Sequence, residues 1–224
     1  MPSPLIFTEA ASAMDSWRTS EPVTSARGGR SVYFLSGAEG RPRIQLCREG
    51  THLRLVHNPG STLVYRVDDS NLVEFCAVLD AFVQRTALRK CEEWFKKRLT
   101  VEELGSLYRP LLASEPGRDG WLLRSRAAPN LRVWRSTSRS TYGESSLSEL
   151  SGATRLWACV EVSGIYFLPR AFGLTLTTTD ILAWPDENVE TFPFIMSPAP
   201  KYVPDASDQD DDVDPTTHPF AVEV

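Results

Sequence analysis

The sequence is poor in the residues that most often carry chemistry. Its 224 residues hold three histidines and four cysteines, and the cysteines (Cys47, Cys76, Cys91 and Cys159) form no CxxC pair. Reduced, mostly buried thiols are the expectation. His52, His57 and His218 fall at no ligand-like spacing beside them, so neither a metal nor another cofactor is expected. No G-x-x-x-x-G-K-[ST], G-x-S-x-G, H-E-x-x-H or G-x-G-x-x-G occurs. The paired acids Asp68–Asp69 precede a helix, where the dipole accounts for them, and Glu92–Glu93 and Glu102–Glu103 fall on helix surfaces. With no His, Lys or ligand set beside them, acid–base catalysis lacks support, and the protein reads as a non-enzyme. No run approaches the roughly 18 apolar residues of a membrane span. The N-terminus has no basic n-region or apolar h-region, so an intracellular protein with no membrane partner is expected.

Lysine is scarce too, at 4 residues against 20 arginines. That bias suits bidentate phosphate contact and stacking more than simple solubility. The formal net charge of −5 hides an uneven distribution. From Lys201 to Val224 there are seven acids and one Lys; setting these aside from the 29 acidic and 24 basic residues leaves 22 against 23. The body is near neutral and the tail makes the chain acidic. Within the body, Arg27 to Arg66 holds seven arginines against Glu39 and Glu49, and Gly117 to Arg139 holds six against Asp119.

Residues 1–29 are rich in Ser, Thr, Pro, Ala and Gly and read as a flexible N-terminal arm with at most one edge strand, "LIFTEA". From Ser31 short runs ("SVYFLSG", "RPRIQLC", "THLRLVHN", "STLVYRV") alternate with Gly, Pro and Asn turns, as strands do. The period changes at Asn71. Leu72, Phe75, Cys76, Leu79, Phe82 and Val83 recur on one helical face, predicting a helix over about 71–97 that starts on an Asn71/Glu74 capping box. A second, over about 100–112, starts on Thr100 and Glu103 and stops at Pro110. Strands then resume with "WLLRS", "NLRVWRS", "TRLWACVEVSG", "IYFLP" and "GLTLTTTDILAW". The result is a mainly β (α+β) domain over 30–198, a closed or nearly closed antiparallel barrel with a two-helix insertion between early and late strands. Residues 199–224 read as an acidic disordered tail.

Strand alternation sorts the faces. Leu156, Ala158, Val160 and Val162 point to the core, with Arg155, Trp157, Cys159 and Glu161 opposite. Arg132 and Trp134 oppose Leu131 and Val133; Arg54 opposes Leu53 and Leu55; Arg66 opposes Leu63, Tyr65 and Val67. A Trp beside Arg on a polar strand face can stack on an unpaired base while the guanidinium meets phosphate. The plainer reading is that another element covers each Trp.

Two segments, "CEEWFKKRLTVEELGSLYRPLL" and "SGIYFLPRAFGLTLTTTDIL", resemble the single-stranded DNA-binding proteins of nucleocytoplasmic large DNA viruses, which have an OB-type barrel. The first is similar in its acidic-Trp-Phe-basic order and the helix ending in Tyr-x-Pro-Leu. The second is similar in its Gly-Ile-aromatic turn and Phe-Gly-Leu strand. Tyr166 stands where that pattern has Trp, and "TLTTT" lacks its Lys. The resemblance implies an OB-like barrel and sequence-independent binding of single-stranded DNA in viral replication, repair or recombination, in the host nucleus or a cytoplasmic replication site. The tail "DDDVDPTTHPFAVEV" is similar in kind to the acidic tails of bacterial and phage single-strand-binding proteins.

Together these readings set phosphates on Arg54, Arg66, Arg132, Arg135, Arg155 and Arg170. Bases stack on Trp134 and Trp157, with Tyr166 or Phe167 as a further platform. Asp210, Asp211, Asp212 and Phe220 offer a site for replication or recombination proteins, and association with further copies of the chain stays open. The alternative is a non-enzymatic scaffold that binds proteins through its barrel and tail.

Overall fold

In the computed structural model, the described residues are 4–24, 29–37, 40–48, 50–57, 61–114, 117, 120–136, 141–150 and 155–184. The expected acidic tail, with Asp210, Asp211, Asp212 and Phe220, lies outside them.

Five strands close on themselves: β1 (Leu53–His57), β2 (Thr62–Val67), β3 (Trp121–Ser136), β4 (Arg155–Leu168) and β5 (Ala171–Trp184). The ring runs β1-β2-β3-β5-β4 and returns to β1, with Arg155 opposite Arg54 and Leu156 opposite Leu53 at the closure. Every pairing in it is antiparallel except β3 with β5, which is parallel. This is an OB-like barrel, and closure removes the edges that an open sheet would leave.

Alternation fills the barrel. Leu53, Leu55, Leu63, Tyr65, Leu123, Leu156, Val160 and Leu176 are all buried inside it. On β5 the inward parity changes, from Leu174, Leu176 and Thr178 to Ile181 and Ala183. The cause is a bulge: Cys159 pairs with Asp180 and Val160 with Thr178, so Thr179 is the extra residue. A second bulge at Val162/Gly164 moves β4 to Ile165. Gly164 has φ +145° there, and a Cβ would meet the Val32 carbonyl oxygen at 2.5 Å, so only glycine fits. Inside the barrel Thr178 Oγ1 shares hydrogen bonds with Tyr65 Oη (2.9 Å) and Ser125 Oγ (2.6 Å), which satisfies three buried hydroxyls.

The helical insertion follows β2. The first predicted helix divides into α2 (Ser70–Arg89) and α3 (Cys91–Phe95), ending at Lys96 with φ 59°. Its N-cap is Asp69, whose side chain accepts from the Asn71 amide at 2.9 Å; Asn71 itself lies inside the helix. Helix α4 (Val101–Leu107) has the reciprocal Thr100/Glu103 capping pair. It stops before Pro110 because Tyr108–Arg109 turns extended and runs parallel to β5. Tyr108 Oη donates to Asp80 at 2.6 Å, tying that segment to α2.

Within the stretch 1–29 expected as a flexible arm, the described residues 4–24 include segments packed on the rest of the domain. Leu5–Ile6 pairs with Arg43–Gln45, and helix α1 (Phe7–Ala13) packs on α2. Phe7 stands 5.8 Å from Phe75, while Trp17 sits 5.8 Å from Phe82 and 6.0 Å from Phe34. Phe7, Ala10, Met14 and Trp17 are buried. The polar composition masked an apolar set at i, i+3 and i+7 whose partners lie on α2, some seventy residues away in sequence.

Candidate nucleic-acid interface

The outer faces of β1, β2 and the first half of β3 are built by the parity that fills the core. Outward stand Arg54 and Val56 on β1, Thr62, Val64 and Arg66 on β2, and Leu122, Arg124 and Arg126 on β3. Register lines them up. Arg155 lies opposite Arg54, Arg54 opposite Arg66, and Arg66 opposite Leu122. Three arginines on three adjacent strands therefore form one cross-strand row. A second rank follows, with Arg124 opposite Val64 and Arg126 opposite Thr62. Among the described residues, no acid faces outward on β1, β2 or Trp121–Arg126.

Directly opposed side chains have Cβ atoms about 4.5–5.5 Å apart, and like charges so placed are destabilising. Arg54 Nε is moreover buried with no hydrogen-bond partner among the described residues. Val56 on β1 is 40% exposed.

The row ends against aromatics. Arg155 pairs on its other side with Trp184, and Trp184 packs edge-to-face on Trp157 with ring centroids 5.5 Å apart. Trp157 is only 8% exposed and its Nε1 donates to the Thr51 carbonyl at 2.8 Å. The expected stacking role of Trp157 is corrected, because its ring is covered. The cover comes from Trp184 and the chain at Thr51.

Beyond the row the outer surface changes character. On β4 and β5, Glu161 accepts from Arg41 at 2.7 Å, and Asp180 accepts from Arg43 at 2.8 Å while also pairing with Arg132. Thr179 Oγ1 donates to Asp180 at 2.8 Å. Arg132, expected to meet phosphate, thus shares the Asp180 carboxylate with Arg43 and is itself 55% exposed. Trp134 is half-buried, opposite Glu144 and Leu182, and Arg135 is exposed opposite Gly143.

The remaining expected residues sit at the far end of the β4–β5 hairpin, on the order of 40 Å of strand from Arg155. Phe167 corrects its assignment as a platform. It packs between Trp94 (5.8 Å), Phe95 (5.5 Å) and Phe172 (6.3 Å), with the Arg30 guanidinium 5.7 Å over its ring. Arg30 in turn donates to the carbonyls of Glu93 (3.0 Å) and Trp94. Tyr166 lies over Gly173, where a Cβ would meet its Oη at 2.7 Å. Arg170 is exposed in the turn, separate from the row.

Sequence reasoning passed over Arg124, Arg126 and Trp121. The two arginines were legible in "WLLRSRA", where Leu123 and Ser125 turn inward. Trp121 shares that inward parity, but it starts β3 opposite Val67, at the barrel's end, and is 42% exposed.

Cys47 and Cys76 are buried, which pushes both thiols well above their ordinary range. Burial, then the charge of Asp180, pushes Cys159 up to about 11. None of these three is a ready nucleophile near neutral pH.

No family model matches the chain, and no curated protein matches it. Among solved structures it is similar to the single-stranded DNA-binding protein from bacteriophage Enc34. The C-terminally truncated form matches with a TM-score of 0.45 at 10% identity, covering 77% of this chain and 97% of that one. The form in complex with ssDNA matches with a TM-score of 0.43 at 10% identity, covering 74% and 95%.

Proposed function

We propose that this is a sequence-independent single-stranded DNA-binding protein, without a catalytic step, that coats exposed strands during viral DNA replication, repair or recombination. The observation that carries the reading is the cross-strand row Arg155–Arg54–Arg66, backed by the outward Arg124 and Arg126. A phosphodiester backbone supplies closely spaced charges to offset it, whatever the base sequence. Guanidinium forks suit phosphate oxygens better than lysine would. Val56, exposed beside the row, with the half-buried Leu122, offers unpaired bases an apolar surface that a duplex, with its bases stacked inside, does not use. Trp121 is the exposed aromatic that takes the stacking role first assigned to Trp157.

The viral setting, the large-DNA-virus type and a place of action in the host nucleus or a cytoplasmic replication site rest on the resemblance of the Cys91–Leu112 and Ser163–Leu182 segments. The tail residues Asp210, Asp211, Asp212 and Phe220 are assigned to partner proteins on their chemistry, an acidic stretch followed by an aromatic.

The deciding experiment is a gel shift with labelled oligo(dT) of about 30 nucleotides, repeated with a duplex of equal length and with salt. A shift with the single strand that weakens steeply with salt is expected. No shift at low salt overturns the proposal and leaves the scaffold reading.

A further inference from the structure

The far end of the β4–β5 hairpin gathers cations that lie apart from the row. Arg170 stands in the turn, and Arg109 lies on the segment beside β5, opposite Gly173; both are exposed. Lys96 and Lys97, also exposed, follow Phe95 at the end of α3, and the Phe95 ring lies 5.5 Å from Phe167 and 5.2 Å from Phe172. The loop carrying the two lysines is held in place by a thiol: Cys91 Sγ donates to the Lys97 carbonyl at 3.3 Å and accepts from the Leu99 amide at 3.2 Å. Among the described residues, none of these four side chains has an ion pair. The neighbouring acids Glu92 and Glu93 pair with Arg98 and Lys90. Residues 108–112 and 163–175 contain no acid. Leu168, 61% exposed, adds an apolar contact two residues before Arg170.

We propose that this tip is the docking site for the acidic segment Asp208–Asp214 of the chain itself, supplied by the same copy or by a neighbour. The segment places five aspartates in seven residues, the densest acidic run in the sequence. Single exposed ion pairs are worth little, whereas several charges on one patch act together. Reach is sufficient. Twenty-three residues separate Trp184 from Asp208, and a chain of that length spans up to about 80 Å. The tip lies on the order of 40 Å along β5 from Trp184. A nucleic acid suits the tip less well: between Arg155 and Trp184 the hairpin's only cation is Arg170, so a strand on the row meets no arginine or lysine along the hairpin before the tip. Docked there, the polyanion is kept away from the row and does not compete with a bound strand. The docking itself needs no DNA.

The test is zero-length carbodiimide cross-linking of the full chain, which joins a lysine Nζ to a carboxylate only where the two are in contact, read by peptide mass spectrometry. Lys90, whose Nζ is 2.8 Å from Glu93, is the internal control. Lys96 and Lys97 should cross-link to aspartates of 208–214. The yield should collapse in about 1 M salt, where the Debye length falls to about 3 Å. Arg109→Glu combined with Arg170→Glu should lower it several-fold while the Lys90–Glu93 product persists. Saturating oligo(dT) of about 10 nucleotides should leave it unchanged.

Absence of any product between these lysines and 208–214, in a sample that yields the control product, overturns the proposal. A yield that oligo(dT) suppresses overturns it by making the tip a nucleic-acid contact. A yield that appears only once oligo(dT) is added overturns it by placing the acidic segment on the row. So does a yield indifferent to the double charge reversal in protein whose thermal melt is native-like. Should that variant not fold, the products of the native chain and their response to oligo(dT) still decide.

Discussion

Two sectors of the molecule's outer surface, one with five arginines and the other with three, hold them in different ways. On β1, β2 and the first half of β3, Arg54, Arg66, Arg124 and Arg126 face outward in a cross-strand array, and Arg155 of β4 completes the row. Along the rest of β4 and β5, Glu161 and Asp180 hold Arg41, Arg43 and Arg132. The difference shows that the net charge, −5 overall, does not describe how charge is arranged on the barrel wall. Across one strand pair an arginine faces another arginine, and across a second it faces a carboxylate. Strand β4 belongs to both sectors, changing from Arg155 to Glu161 within six residues.

The largest test of that contrast is to empty the first sector. Replacing Arg54, Arg66 and Arg155 together by Gln should reduce the salt slope by about 2 and remove measurable oligo(dT) binding at physiological salt. The same replacement of Arg41, Arg43 and Arg132 should leave the slope unchanged, and an equal loss from both triples would erase the distinction between the sectors.

Trp157→Ala comes next and should act on the fold. Truncating a buried Trp costs about 3–5 kcal/mol of stability, read by urea denaturation, with binding intact in the fraction that stays folded. Loss of affinity at unchanged stability would restore Trp157 as a contact.

A smaller effect is expected at Trp121. Its replacement by Ala should cost about 1–3 kcal/mol of affinity and most of the fluorescence quenching by oligo(dT), leaving the melting temperature nearly unchanged. Arg124→Gln should lower the slope by about 0.7 in the native protein. The smallest change belongs to Arg170→Gln. With its side chain at the far hairpin turn it should leave oligo(dT) affinity within error, and a measurable drop would extend the interface along the whole hairpin.

The limits of the sequence reading fall on particular residues. Arg54, Arg66 and Arg155 were legible as outward because each is flanked by inward Leu or Val at a period of two. The strands and the capped helix at Thr100 were legible for the same local reason. Trp157 misled because its outward parity was right while its cover, Trp184, approaches from β5 through long-range pairing. Phe167 misled similarly, since Trp94 and Phe95 reach it from α3. The N-terminal helix was hidden because its apolar face is short and its partners, Phe75 and Phe82, lie on α2.

Sequence by itself determined the faces wherever a strand runs without a bulge, since side chains there alternate. It also determined the excess of Arg over Lys. Only the tertiary structure decided register: that Arg155, Arg54 and Arg66 stand in line, and that Arg132 meets Asp180 across a bulged pair. Register depends on hydrogen bonds between segments up to a hundred residues apart, and one inserted residue, Thr179, turns the side chains that follow it to the other face.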